Sequence, residues 1–189
     1  VHLAFGSGDF PRGRSELSSS SAWLVNNGYT FDLWPAMDVT IRWKKYVDAT
    51  SRNILKGRLR GVNYATPGTS NLLKLSQTIR FLGSEEFGED AFDHPGDDWR
   101  PSDPNGRKWL LDSLRTQSMT GLPEFASNDY GNLNSLPSLS LGHLAQDPEM
   151  RAAGTTSFTA FMAQLAAVWQ PLEYYAGVWS SRSYEDQSG

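Results

Sequence analysis

The chain has 189 residues, a formal net charge of −4 and no cysteine. Without cysteine, disulfides, thiolate catalysis and zinc sites with cysteine ligands are excluded. The negative net charge argues against general nucleic-acid binding, which needs Lys and Arg to neutralise phosphates. No apolar run is long enough to span a bilayer. We therefore expect neither a nucleic-acid partner nor a membrane partner.

Residues 1–35 are predicted to be irregular. Glycine and proline interrupt any helical period there, at Gly6, Gly8, Pro11 and Gly13. From Ala36 to about Val62 the apolar residues recur at helical spacing, which predicts a first helix. Basic residues are frequent in this stretch, namely Arg42, Lys44, Lys45, Arg52, Lys56, Arg58 and Arg60.

A second helix is predicted from one apolar stripe with spacings of three and four residues. The stripe consists of Leu72, Leu75, Ile79 and Leu82. Thr69 or Ser70 supplies the N-cap, and Gly83 is a natural stop. Residues 84–103 are rich in Asp, Glu, Gly and Pro, so we expect a loop there.

Three further helices are predicted in the second half of the chain. The third runs from about Asn105 to Met119. The fourth covers roughly residues 132–145, and Pro137 should kink it or delay its start. The fifth follows the sequence Asp147-Pro148-Glu149, which supplies an N-cap, an N1 proline and a first-turn acid, and Pro171 closes it.

No comparable run of alternating strand residues appears in the sequence. Because long helices with short connections pack as antiparallel neighbours, we predict an all-α fold of antiparallel helical hairpins. Residues 1–189 would form one helical domain or a segment of a larger one. Residues 36–170 would be helical, and residues 171–189 would be an irregular tail.

Three stretches of the sequence together indicate a family. They are Thr69-Ser70-Asn71 with the helix that follows, Gly121-Leu122-Pro123-Glu124-Phe125-Ala126-Ser127-Asn128-Asp129-Tyr130, and Ser181-Arg182-Ser183-Tyr184. In this order and at these separations they resemble the helical-toroid polysaccharide lyases of the heparinase II/III and alginate-lyase type, and related toroid proteins. The resemblance implies a partial (α/α) toroid and a secreted or periplasmic protein that degrades an acidic polysaccharide.

The resemblance also implies roles for particular residues in β-elimination. Asn71 would bind the carboxylate at C6 of the sugar, which makes the C5 proton easier to remove. Tyr130 would handle protons, with Tyr184 as its substitute, and Arg182 or Arg80 would supply positive potential. Apart from the resemblance, Trp109 is a candidate for substrate binding, since aromatic rings can pack on the apolar faces of sugars. Asn71 could equally serve as a helix cap, an alternative that the sequence leaves open.

Hydrolysis on the same fold is the alternative activity, because a glycoside hydrolase needs two carboxyl groups across the scissile bond. Glu124 is the candidate acid, since its apolar neighbours favour the protonated form. Asp129 is its candidate partner, with Asp97 and Asp98 as alternatives. A non-catalytic sugar-binding or scaffold segment is the third interpretation.

The sequence predicts no cofactor and no metal site. His94 with Asp93, Asp97 and Asp98 could bind a hard cation, but the glycine spacing of a calcium loop is absent. Val1 opens neither the charged nor the apolar region of a signal peptide, so we expect a removed leader or a start within a longer chain. The expected partners are a polysaccharide or oligosaccharide, and a second chain or the remaining segment of the same polypeptide.

Overall fold

A computed structural model of the chain describes residues 2–27, 30–60, 70–88, 104–121 and 130–168. These residues form eight α-helices and no strand, so the predicted all-α class is confirmed. The helices are α1 (His2–Gly6), α2 (Phe10–Asn27), α3 (Thr30–Arg42), α4 (Ala49–Arg60), α5 (Ser70–Phe87), α6 (Pro104–Thr120), α7 (Tyr130–Leu144) and α8 (Pro148–Val168). Across the described ranges, no helix has both the length and the apolar character that a bilayer span requires.

The chain divides into two compact units, Val1–Arg107 and Lys108–Gly189. One helical domain, or a segment of a larger one, stays a prediction. Unit 1 contains α1 to α5, and unit 2 contains α7, α8 and most of α6. The hairpin pattern of the prediction is seen in unit 2, as described below.

Residues 1–35 contain helices α1 and α2 and the start of α3, which corrects the prediction of an irregular segment. Gly8 has a φ of 83°, and the carboxylate of Asp9 caps α2 by accepting the N–H of Arg12 at 3.2 Å. Gly13 lies inside α2, where a Cβ atom would stand 2.5 Å from the Phe5 ring. These glycines mark a turn and a close approach of two helices, and both are compatible with a helical segment.

The single helix predicted for residues 36–62 is two helices, with a turn at residues 43–46 between them. Asp48 follows this turn and caps the start of α4. Its Oδ1 accepts the N–H of Ser51 at 2.8 Å, and its Oδ2 accepts the Ser51 hydroxyl at 2.9 Å. These hydrogen bonds hold the pKa of the Asp48 carboxyl below its ordinary value, because they favour the charged form.

Helix α5 is the most deeply buried helix of unit 1, and α3 and α4 both pack against it. It begins at Ser70, one of the two predicted N-caps, and continues four residues beyond the predicted stop at Gly83. The predicted apolar stripe is confirmed at Leu75, Ile79 and Leu82, whose side chains are all buried.

In unit 2, α7 and α8 form an antiparallel hairpin joined by residues 145–147. Ser138 lies against Ser157, with 3.0 Å between their hydroxyl oxygens, and Gly142 lies against Gly154. Helix α8 begins as predicted, since Asp147 Oδ1 accepts backbone N–H groups from residues 149 and 150 at 2.9 and 3.1 Å. Pro137 lies inside α7 without delaying its start.

Candidate functional site

Two of the site residues that the resemblance implies, Asn71 and Arg80, lie on helix α5. Asn71 is the second residue of this helix, although its side chain lies outside the described residues. Arg80 lies nine residues later, is fully buried and interacts within the protein. Arg80 therefore contributes positive charge from the interior of unit 1 and not from its surface.

The other predicted site residues belong to unit 2 or lie outside the described residues. Tyr130 is the first residue of α7, and its side chain is not described. Trp109 is half-buried on α6. The remaining candidates for lyase, hydrolase or cation-binding roles fall outside the described residues: Glu124, Asp129, Arg182, Tyr184, Asp93, His94, Asp97 and Asp98.

Helix α5 is unusual because polar side chains are buried on several of its faces. A helix buried on all sides is normally apolar throughout, since a polar group loses its hydration on burial. The buried polar residues of α5 are Lys74, Ser76, Gln77, Thr78 and Arg80. Apolar packing alone does not explain a helix of this composition in the middle of unit 1.

Lys74 is the clearest anomaly on this helix. It is 5% exposed, and it forms no hydrogen bond or ion pair with any described residue. Burial lowers the pKa of its amino group to about 8, because the charged form loses its hydration. The amine is therefore still mostly protonated at neutral pH, as a cation without an anion among the described residues.

Thr78 follows Lys74 by one helical turn, so the two residues share a face of α5. Thr78 is 0% exposed, and its Oγ1 has no hydrogen-bond partner within the described part of the chain. Asn71 precedes Lys74 by three residues, one turn towards the start of the helix. An ammonium group and a hydroxyl group on one face can together hold an anion.

Glu86, one of the two acidic residues near the other end of α5, is paired with cations, in contrast to Lys74. The side chain of Glu86 is 6% exposed, and it contacts Arg52 at 2.7 Å and Lys44 at 3.8 Å. The guanidinium of Arg52 also lies 5.3 Å from the centre of the Phe87 ring. Unit 1 therefore pairs Glu86 with two cations but supplies Lys74 with no anion among the described residues.

This arrangement suits an anionic ligand and does not suit a metal ion. A protonated amine with little access to water attracts a carboxylate more strongly than a solvated one does. The described residues contain no group of three or more His, Cys, Asp or Glu that could hold a metal ion.

Lys74 was not among the site residues predicted from the sequence. A signal was present, because Lys74 interrupts the run Leu72-Leu73-Lys74-Leu75 one turn after Asn71. On an amphipathic helix such a lysine would face solvent. Only the packing of neighbouring helices around α5 makes this position buried.

Comparisons with family models, with curated proteins and with solved structures find no significant match to this chain. The resemblance to toroid lyases therefore stays a prediction that rests on the sequence motifs. The burial of Lys74 is observed independently of that resemblance. Lys74 lies on the same helix as Asn71.

Proposed function

We propose that this chain is part of a carbohydrate-active protein that binds an acidic polysaccharide and cleaves it by β-elimination. Helix α5 is the carboxylate-binding element. The observation that carries the proposal is Lys74, a buried cation with no anion among the described residues. A ligand carboxylate would supply that anion, and the ligand would offset part of the cost of burying the amine.

In this proposal α5 neutralises the carboxylate at C6 of a uronate sugar. Loss of the C5 proton leaves negative charge that is shared with that carboxylate, so fixed positive groups nearby lower the barrier. The ammonium group of Lys74 takes this role, and Asn71 assists as the resemblance implies. Arg80 adds a permanent positive charge on the same helix.

Proton transfer remains a prediction from the resemblance. A base must take the C5 proton, and an acid must protonate the leaving glycosidic oxygen. Tyr130 is the residue we assign to this step. The partial (α/α) toroid is part of the same proposal, with the antiparallel pair α7 and α8 as one of its hairpins.

The test compares wild-type protein with Lys74→Met on alginate, heparin and polygalacturonate, with dextran as a neutral polymer. Elimination creates an unsaturated sugar end, which is followed by its ultraviolet absorbance. We expect the wild type to form this product from at least one acidic polymer. Lys74→Met should lower kcat/KM about 100-fold, because one group that stabilises developing charge is removed.

Lys108→Met is the matched control, since Lys108 is a highly exposed lysine of unit 2. It should leave the cleavage rate unchanged. New reducing ends without an unsaturated product, with Glu124→Gln as the damaging variant, would replace elimination by hydrolysis. Binding without any cleavage would leave a sugar-binding segment and would refute the enzymatic proposal.

A further inference from the structure

A second positively charged feature of unit 1 lies on its surface. It consists of Arg14 on α2 and of Lys44 and Lys45 in the turn that follows α3, and all three residues are exposed. Arg14 Nε donates a hydrogen bond to the backbone oxygen of Tyr46 at 3.0 Å. This bond holds the guanidinium group against the turn that carries the two lysines. We refer to these three residues as the basic surface.

The sequence around the basic surface is rich in Lys and Arg. Residues 42–60 contain seven of the 17 Lys and Arg residues of the chain, against the single acid Asp48. Arg42 is paired with Asp38 at 3.1 Å, and Arg52 is paired with Glu86 at 2.7 Å. Lys44 keeps a side chain that is 60% exposed despite its contact with Glu86. Because the whole chain has a net charge of −4, this concentration of cations is a local feature.

Aromatic rings pack next to the basic surface. The Tyr46 ring stacks on Phe10 with 3.9 Å between centroids, and Lys45 Nζ lies 5.7 Å from the centre of the Tyr46 ring. Phe5 and Trp43 stack at 5.8 Å and complete the cluster. These rings pack on one another and on Lys45. They therefore fix the position of the cations, but they do not form the open stacking platform that single-stranded nucleic acids use.

The contact between Lys44 and Glu86 relates the basic surface to the site on α5. Glu86 lies twelve residues after Lys74 on the same helix. At the rise of an α-helix this separation is about 18 Å along the axis. A ligand that contacts both Lys74 and the basic surface must therefore extend over several sugar units.

We propose that the basic surface is a second binding site for the acidic polysaccharide, and that it holds the polymer by acidic groups several units away from the sugar bound at Lys74. Regularly spaced negative charges along a flexible polymer match exposed cations that have no stacking platform. This inference rests on the proposed substrate class, but it does not depend on cleavage.

The test measures affinity for alginate polymer and for alginate disaccharide by calorimetry at several salt concentrations. The variant is Lys44→Gln/Lys45→Gln. The control is Lys108→Gln/Arg115→Gln, which removes the same charge from exposed positions in unit 2. Arg14 stays unchanged because its hydrogen bond supports the turn.

We expect the Lys44→Gln/Lys45→Gln variant to bind the polymer about tenfold more weakly at low salt, as two exposed charge contacts are lost. The salt dependence of its affinity should fall by about two counterions. Disaccharide affinity should not change, and the control should bind the polymer like the wild type.

Unchanged polymer affinity in the variant would overturn the inference, and so would an equal loss in the control or an equal loss for the disaccharide. Tighter binding of single-stranded DNA than of alginate at the same salt would also overturn it. If the polymer binds through the basic surface but is never cleaved, the proposed elimination fails and this inference stands. If the polymer is cleaved and the double variant behaves like the wild type, this inference fails alone.

Discussion

Among the single residues, Lys74 carries a cost in stability, because its amine is buried in the folded protein. Its pKa falls from the ordinary value of 10.5 to about 8 because the folded protein removes water from the amine. This shift corresponds to about 3 kcal/mol of lost stability at neutral pH, as an order of magnitude. A buried lysine that lowers stability is a stronger candidate for a binding residue than a solvated lysine is.

Lys74→Met should therefore stabilise the free protein at pH 7. Removing a buried charge that has no partner among the described residues, while keeping the side-chain volume, should raise the free energy of unfolding by about 2 kcal/mol, or roughly 5 °C in Tm. The native state holds this proton less tightly than the unfolded chain does, so wild-type stability rises with pH between about 8 and 10.5. The advantage of the variant should be complete below pH 8 and should disappear as pH approaches 10.5.

Thermal melts at pH 7 and pH 10 check this prediction, with Lys108→Met as the exposed control. The control should melt like the wild type at both values. A Lys74→Met protein that melts below the wild type at pH 7 would mean that Lys74 is paired in the native protein. The proposed binding of a ligand carboxylate at Lys74 would then be excluded as well.

At the scale of elements, the hairpin of α7 and α8 depends on small residues at the helix contact. A Cβ atom at Gly154 would stand 2.5 Å from the backbone nitrogen of Gly142 and 2.9 Å from the backbone oxygen of Ser138. Ser138 and Ser157 meet at the same contact and share the amide oxygen of Gln117, at 3.4 and 3.1 Å. Short side chains at these positions allow the two backbones to approach closely.

Gly154→Ala should destabilise the protein by about 1 to 3 kcal/mol, because the obstructing atoms belong to the α7 backbone and cannot rotate away. Gly57→Ala is the matched control. Gly57 lies inside α4, and a Cβ atom there would meet nothing within 4 Å. This second change should stabilise the protein by about 0.5 to 1 kcal/mol through helix propensity. Denaturant melts of both variants measure the two changes in the free energy of unfolding. If Gly154→Ala stabilised the protein as much as Gly57→Ala, the close contact between the α7 and α8 backbones would be contradicted.

Sequence patterns predicted some elements well because the determining interactions are local. The cap by Asp147 and the Asp-Pro-Glu opening fixed the start of α8, and the apolar stripe of α5 is buried as expected. The helices of residues 1–35 were missed because Gly13 is explained only by the Phe5 ring, a contact between two helices. Lys74 was missed for a related reason, since it lies outside the apolar stripe of α5 and its burial results from packing that the helical periodicity does not reveal.

Across the whole molecule, the two units differ in their charged residues, and both expose large apolar side chains. Unit 1 carries the cations of residues 42–60 and the buried Lys74. In unit 2, helix α8 has no Asp, Glu, Lys or Arg from Ala152 to Val168. Met119 and Met162 are 79% and 45% exposed in the same unit. Leu3 of unit 1 is 90% exposed, and association with another surface would cover exposed apolar side chains of this kind.

We therefore expect the native assembly to be larger than this chain, through a second chain or through further residues of one polypeptide. The measurement is the intact mass and subunit composition of the protein purified from its source. A species well above 21.0 kDa is the expected result. The isolated chain should then bind an apolar dye, and the dye signal should fall when the missing part is restored, because the exposed apolar side chains become covered. A single species of 21.0 kDa that binds no dye would contradict the expectation. It would also remove the larger toroid from the proposal and leave unit 1 as a self-sufficient binding module for acidic ligands.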